Sequence, residues 1–197
     1  MKNSDIIYEL ISAVSHNAEE LHGRLVEGRP TVRTLARADV YELSELLSDP
    51  NLAAYIAVAS ALASRRVTDS FKLGKKHTDE EIEAYLRALF VNEAREVVYL
   101  LSLDREGRVT HSDRVGDGTV NRLGIVPRRL LEIASRRGAA AVIIAHNHPG
   151  GAPEPSGEDI ATSAAIKNSL DTAGIKLLCN YVVSDEEIRS FLSASEK

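Results

Sequence analysis

The chain has 197 residues, 44% hydrophobic and 27% charged, with a net charge of −5. That balance excludes a disordered or fibrous chain and allows one well-buried domain, or one domain with a smaller companion. Both halves hold more acidic than basic residues, so a general DNA-attracting surface is not expected. Asp5 and Glu9 interrupt any leader-length apolar run, and nowhere do about 18 uncharged apolar residues run together. A cytoplasmic protein without membrane contact is therefore expected. The single cysteine, Cys179 in IKLLCNYVV, has no internal disulfide partner and reads as a buried apolar side chain.

In chain order, residues 4–27 show apolar positions near a 3.6-residue period, stopped by Gly28 and Pro30. Two further helices are predicted over 34–47 and 52–66, separated by the turn-forming SDPN. The polar stretch SFKLGKKHTDEE at 70–81 is the best linker, with His77 as a solvated loop residue and Thr78 and Glu81 spaced as a capping box for a helix to about Phe90. The domains are accordingly read as 1–76, a small helical unit, and 77–197. After Phe90 the period changes. VVYLLSLD at 97–104, a turn at REG and a more polar strand near 108–115 predict a hairpin. Pro127 is expected to open a helix that Gly138 ends, AAAVIIAH to form a strand buried on both faces, and 156–173 to form a helix stopped by Gly174. A strand over 175–183 and a short terminal helix from Asp185 complete an α/β (α+β) second part, a mixed sheet flanked by helices.

The chemistry concentrates in AVIIAHNHPGGAPEPSGEDI, residues 141–160. Residues i and i+2 of an extended segment share a face, so His146 and His148 can converge as the strand leaves the sheet. Pro149, Pro153 and Pro155 restrict the following loop, and Gly150 with Gly151 permits a sharp reversal toward Ser156 and Asp159 at a helix start. By itself Ser-x-x-Asp reads as a capping box. With the two histidines, Asp159 makes a third oxygen or nitrogen donor, the number that a catalytic zinc takes when one position stays open to water. A proton carrier is also needed, and spacing alone does not locate it. His111 reads as an edge-strand residue, and His16 and His22 as surface positions.

HNHPGGAPEPSGED closely resembles the signature of the RadC family, whose C-terminal domain is of JAMM/MPN type. The resemblance covers about residues 80–190, including GTV at 118–120 and VPRRLLEIASRRGAAAVIIAHNHP. It implies a JAMM/MPN-like fold and a zinc-dependent metallopeptidase or isopeptidase acting on a peptide or protein substrate. His146, His148 and Asp159 would hold one Zn²⁺, Glu96 in REVVYLLSLD would be the general base, and Ser156 would assist the transition-state oxygen. The chain departs from the family pattern at Gly150, where serine is usual, and at Ala152 and Gly157 in the loop. The N-terminal part resembles helix-hairpin-helix modules more loosely, with Asp49, Pro50 and Asn51 where hairpin glycines are expected; proline removes a donor and aspartate repels phosphate. The alternative is a DNA-associated or scaffolding protein that keeps the fold without turnover, which the charge does not support.

Overall fold

The computed structural model describes residues 8, 11–12, 15, 17–28, 40–91, 93, 95–117, 125–184 and 187–191. The GTV stretch at 118–120 and His16 lie outside them. The chain divides into two compact units, 1–69 and 70–197. No helix among the described residues is long and apolar enough to cross a membrane.

The first unit holds α1 (Ala18–Gly28), α2 (Val40–Leu47) and α3 (Pro50–Ser70) around a core that includes Leu21, Leu43, Leu47, Leu52 and Ala53. The SDPN turn starts α3 earlier than expected, because Pro50 suits the first helical position. Asp49 caps the helix: its Oδ1 accepts from the N–H groups of Asn51 (3.0 Å) and Leu52 (3.1 Å).

The second unit is α+β. Helix α4 (Asp79–Phe90) precedes the hairpin β1 (Val97–Leu103) and β2 (Val109–Asp117). Then follow α5 (Ile125–Arg136), β3 (Ala141–Asn147), α6 (Gly157–Thr172), β4 (Lys176–Val183) and β5 (Ile188–Phe191). The sheet order is β2-β1-β3-β4-β5, antiparallel except for the β3–β4 pair, whose parallel crossover is α6. All seven residues of β3 are buried, the apolar run Ala141–Ala145 as expected and His146 and Asn147 with it. Alternation sorts its side chains. Ala141, Ile143 and Ala145 join Leu86, Phe90, Val97 and Leu101 on the α4 side, whereas Val142 and Ile144 join Val98, Leu100, Leu130 and Ile166 on the α5–α6 side. Between β1 and β2, Gly107 at φ 78° turns the chain, and Asp104 Oδ1 accepts from the N–H groups of Glu106 and Arg108.

Three expectations need correction. The terminal helix from Asp185 is a strand in its described part: Ile188–Phe191 pairs antiparallel with β4. Ser-Asp-Glu-Glu imitates a helix start, but Ser184 is used in a turn, its N–H donating to the Glu187 carbonyl (2.8 Å) and its Oγ accepting from Glu187 N–H (3.1 Å). The open edge of β4 then takes the chain. The 70–81 stretch is packed rather than loose, since Phe71 is buried and Gly74 and Lys75 exchange backbone hydrogen bonds with Val109. His77 is likewise not solvated. Its ring stacks on Phe71 at 3.8 Å between centroids, and its side chain is 8% exposed.

Candidate metal centre

The site forms where β3 ends and α6 begins. Val98 of β1 pairs with His146, the last pair between those strands, and alternation puts His146 on the α5–α6 side. Two residues on, His148 leaves the ladder with its N–H donating to the Val183 carbonyl (2.9 Å), which holds the strand end against β4. Gly151 N–H then donates to the His148 carbonyl (3.2 Å), and Gly150 sits at φ 69°, a left-handed conformation that serine would adopt only under strain. The loop is tethered further by an ion pair between Glu154 and Arg189 of β5 (2.9 Å). It delivers Ser156 to the start of α6.

The face that α6 turns inward carries Asp159, Thr162, Ser163, Ile166 and Leu170. It is polar at its N-terminal end and apolar beyond. Ser156 and Asp159 form the expected capping box: Ser156 Oγ accepts from Asp159 N–H (3.1 Å), and Asp159 Oδ2 accepts from Ser156 N–H (2.8 Å). The Ser156 hydroxyl also donates to Asp159 Oδ2 (2.6 Å). Asp159 is 8% exposed, an uncommon setting for a carboxylate. Burial opposes its ionisation, but hydrogen bonds from His146 and from the Ser156 side chain and backbone outweigh that and hold its carboxyl well below the usual range.

Three donor groups converge. His146 Nε2 lies 3.2 Å from His148 Nε2 and 3.4 Å from Asp159 Oδ1, and His148 Nε2 lies 3.4 Å from Asp159 Oδ2. His148 Nδ1 is 3.0 Å from the Ala152 carbonyl. A carbonyl only accepts, so Nδ1 carries the proton and, in the neutral ring, Nε2 turns a lone pair inward. Such a lone pair beside a second imidazole nitrogen and a carboxylate calls for a cation. The separations also fit one: four ligands at about 2.0–2.1 Å in a tetrahedron stand roughly 3.3–3.4 Å apart. His146, His148 and Asp159 can therefore hold a metal ion.

The other predicted residues fall differently. Ser156 is beside the donor set through Asp159. Glu96 is half-buried immediately before β1, two residues ahead of Val98, and is not among the three clustered donors. His111 pairs with Ser102, which pairs with Val142, so it stands toward the far end of the sheet from His146. Its Nδ1 meets Thr110 Oγ1 at 3.1 Å. Cys179 is half-buried, its thiol pushed up to about 11 by burial.

Two groups of residues were not singled out in the sequence. On the α6 side, Asn180 Nδ2 donates to Ser163 Oγ (2.6 Å) in a buried pair. Near β1, Arg114 grips Glu93 with two hydrogen bonds (2.8 and 3.0 Å), and the Tyr99 hydroxyl donates to the same carboxylate (3.3 Å). The sequence signal for both is weak, since polar residues within strands are ordinary on edge and half-buried faces.

An α+β domain with two histidines at a strand end and an aspartate at the next helix start defines a JAB-type domain with a candidate metal centre. A family model described as a RadC-like JAB domain matches residues 76–197. A UPF0758 protein of Photobacterium profundum is 32% identical over 178 residues, 89% of this chain and 79% of that protein. A UPF0758 protein of Shewanella amazonensis is 33% identical over 177 residues with the same coverage. One from Vibrio cholerae serotype O1 is 33% identical over 131 residues, 66% of this chain and 58% of that protein. The chain belongs to the RadC family.

Proposed function

We propose that this protein is a zinc-dependent hydrolase that cleaves a peptide or isopeptide bond in a peptide or protein substrate. The observation that carries the reading is the convergence of His146, His148 and Asp159, with separations of 3.2–3.4 Å. Held by His146, His148 and Asp159, a zinc ion would polarise a substrate carbonyl and acidify a water to a pKa of about 7.

The chain's own residues supply the rest. Ala152 and Ser156 orient two of the three donors, fixing the His148 ring and the Asp159 carboxylate. Glu96 takes the proton given up by the attacking water and returns it to the leaving nitrogen. In support, Glu96 is in the same alternation phase as Val98, the cross-strand neighbour of His146, and is half-buried. The Ser156 hydroxyl, whose one proton is given to Asp159 Oδ2 in the structure, turns that proton to the developing oxyanion during the reaction.

The DNA-associated alternative has less behind it, because the first backbone N–H groups of α3, suited to a phosphate, are occupied by Asp49. The test is metal content together with hydrolysis of a panel of peptides and isopeptide-linked conjugates. Wild type is expected to hold one zinc, His146→Ala none, and Glu96→Gln to keep zinc while losing turnover. Protein purified without chelator that takes up no zinc overturns the reading, and an active Glu96→Gln overturns the role of Glu96.

A further inference from the structure

Between the two histidines stands Asn147, fully buried at 0% exposure. Strand alternation points it away from the metal-facing side, yet its carboxamide is wholly engaged. Its Oδ1 accepts from Val97 N–H (2.8 Å), and its Nδ2 donates to the carbonyls of Arg95 (3.0 Å) and Glu93 (3.3 Å). Both amide donors are used, and every partner is a backbone group of the segment that leads into β1. Glu96 lies inside that segment.

The ladder explains why a side chain is needed there. The pairing of β1 with β3 ends at Val98 and His146, and past it the chain of His148 is bonded to β4 through Val183. Beyond the last pair, the entry to β1 would have no cross-strand partner on the β3 side without a reaching side chain. Asn147 extends the connection to Val97, Arg95 and Glu93, one, three and five residues before that pair. Arg114 of β2 and Tyr99 of β1 hold the Glu93 carboxylate. The segment is thus fastened through its backbone by β3 and through a side chain by β1 and β2.

We propose that Asn147 is a positioning residue: it fixes the backbone at Glu93, Arg95 and Val97 so that Glu96 is presented to the His146, His148 and Asp159 centre. The same residue stretch then sets both halves of the chemistry, with His146 and His148 projecting to one face for the ion and Asn147 to the other for the proton carrier. The inference rests on the reading of Glu96 as that carrier.

The test uses the full-length protein loaded with Zn²⁺ or Co²⁺, comparing Asn147→Asp with Glu96→Gln. Aspartate keeps an acceptor for Val97 N–H but removes the donors to Arg95 and Glu93. Amide exchange over 93–97 is expected to quicken by about tenfold, as loss of buried hydrogen bonds implies. Zinc affinity, from competition with a chromophoric chelator, is expected to stay within about threefold of wild type, unlike the 10–100-fold loss from disturbing a ligand's partner. The pH midpoint of the Co²⁺ visible spectrum is expected to move toward that of Glu96→Gln, which a merely structural role would not do.

A midpoint that shifts in Glu96→Gln but stays at the wild-type value in Asn147→Asp overturns the inference, as does a zinc affinity that falls 10–100-fold. A midpoint unmoved by Glu96→Gln overturns the reading of Glu96 instead, and is recognised because the exchange effect of Asn147→Asp persists. If Asn147→Asp does not fold, amide exchange in the wild type decides: Val97 N–H protected like the interior of β1 supports the clamp, and rapid exchange at Val97 overturns it.

Discussion

Helices α4 and α6 begin with the same device. Thr78 and Glu81 form one capping box, Ser156 and Asp159 the other, with both reciprocal hydrogen bonds present in each. The likeness goes further, because each acidic residue also faces a histidine whose other ring nitrogen meets a backbone carbonyl. Glu81 meets His77 Nδ1 at 3.1 Å while Nε2 of that ring meets the Lys72 carbonyl (2.9 Å); Asp159 meets His148 Nε2 at 3.4 Å while Nδ1 meets the Ala152 carbonyl (3.0 Å). Two things separate them. The Glu81 side chain is 59% exposed and that of Asp159 is 9% exposed, and only Asp159 has a second imidazole, His146, at contact distance. A local motif therefore specifies a helix start in both places. What the tertiary structure brings to that start, a buried strand end with two converging rings, turns one of them into a donor set.

The largest expected effect in breaking this comparison comes from the acids themselves. Asp159→Ala removes one of three ligands and is expected to weaken zinc binding by well over the 10–100-fold typical of a second-layer partner. Glu81→Ala removes an acid from an otherwise similar cap and is expected to leave zinc stoichiometry and affinity unchanged. Isothermal titration of both proteins with Zn²⁺ makes the check, and a zinc deficit in Glu81→Ala would show that the α4 cap is not the inert half of the pair.

A smaller and more discriminating effect is expected from the hydroxyls. Thr78→Ala and Ser156→Ala each remove an N-cap acceptor, costing about 1 kcal/mol of stability in urea unfolding of the metal-free proteins. Only Ser156 also donates to a candidate ligand, through the 2.6 Å bond to Asp159 Oδ2. Zinc affinity is therefore expected to fall by about 10–100-fold in Ser156→Ala and not at all in Thr78→Ala. Equal affinities in the two variants would mean that the hydroxyl serves the helix alone.

This comparison also bears on what the sequence could tell. The strands and helices of the second unit were legible because their apolar periods and punctuating residues agree: β3 opens on the apolar run Ala141–Ala145, and Gly138 and Gly174, both at positive φ, stand where the helices end. The donor set was legible because β3 and α6 are joined by a short loop, which makes spacing in sequence a guide to distance in space. The last element was misread because Ser184 and Glu187 carry a cap-like spacing with no nearby sign that β4 had an open edge. His77 was misread for a related reason, since its stacking on Phe71 depends on how a polar stretch folds back on α4. Asn147 was in plain view inside HNHP, but its three partners lie about fifty residues upstream, and no local pattern links them. Glu96 is the same case from the other side: its family resemblance singled it out, and only the β1–β3 register relates it to His146.

The smallest expected effect separates the two caps by pH in protein stripped of metal. The carboxyl of Asp159 is held below the usual range, burial opposing and hydrogen bonds from His146 and Ser156 prevailing, so its folded pKa lies below its unfolded one. A group of that kind contributes stability that is fully present above the unfolded value of about 3.9 and is lost as pH falls through the folded value. The difference in unfolding free energy between wild type and Asp159→Asn should therefore shrink as pH is lowered from about 6 to about 3, where the unfolded chain begins to bind the proton first. Glu81 is also lowered, mainly by the Thr78 backbone bond and then by His77, but its side chain is exposed and solvent screens it. Wild type against Glu81→Gln should accordingly show a flatter dependence that salt weakens further, since ions screen an exposed cap and not a buried one. Steeper pH dependence at Glu81 than at Asp159 would mean that burial is not what distinguishes the two helix starts.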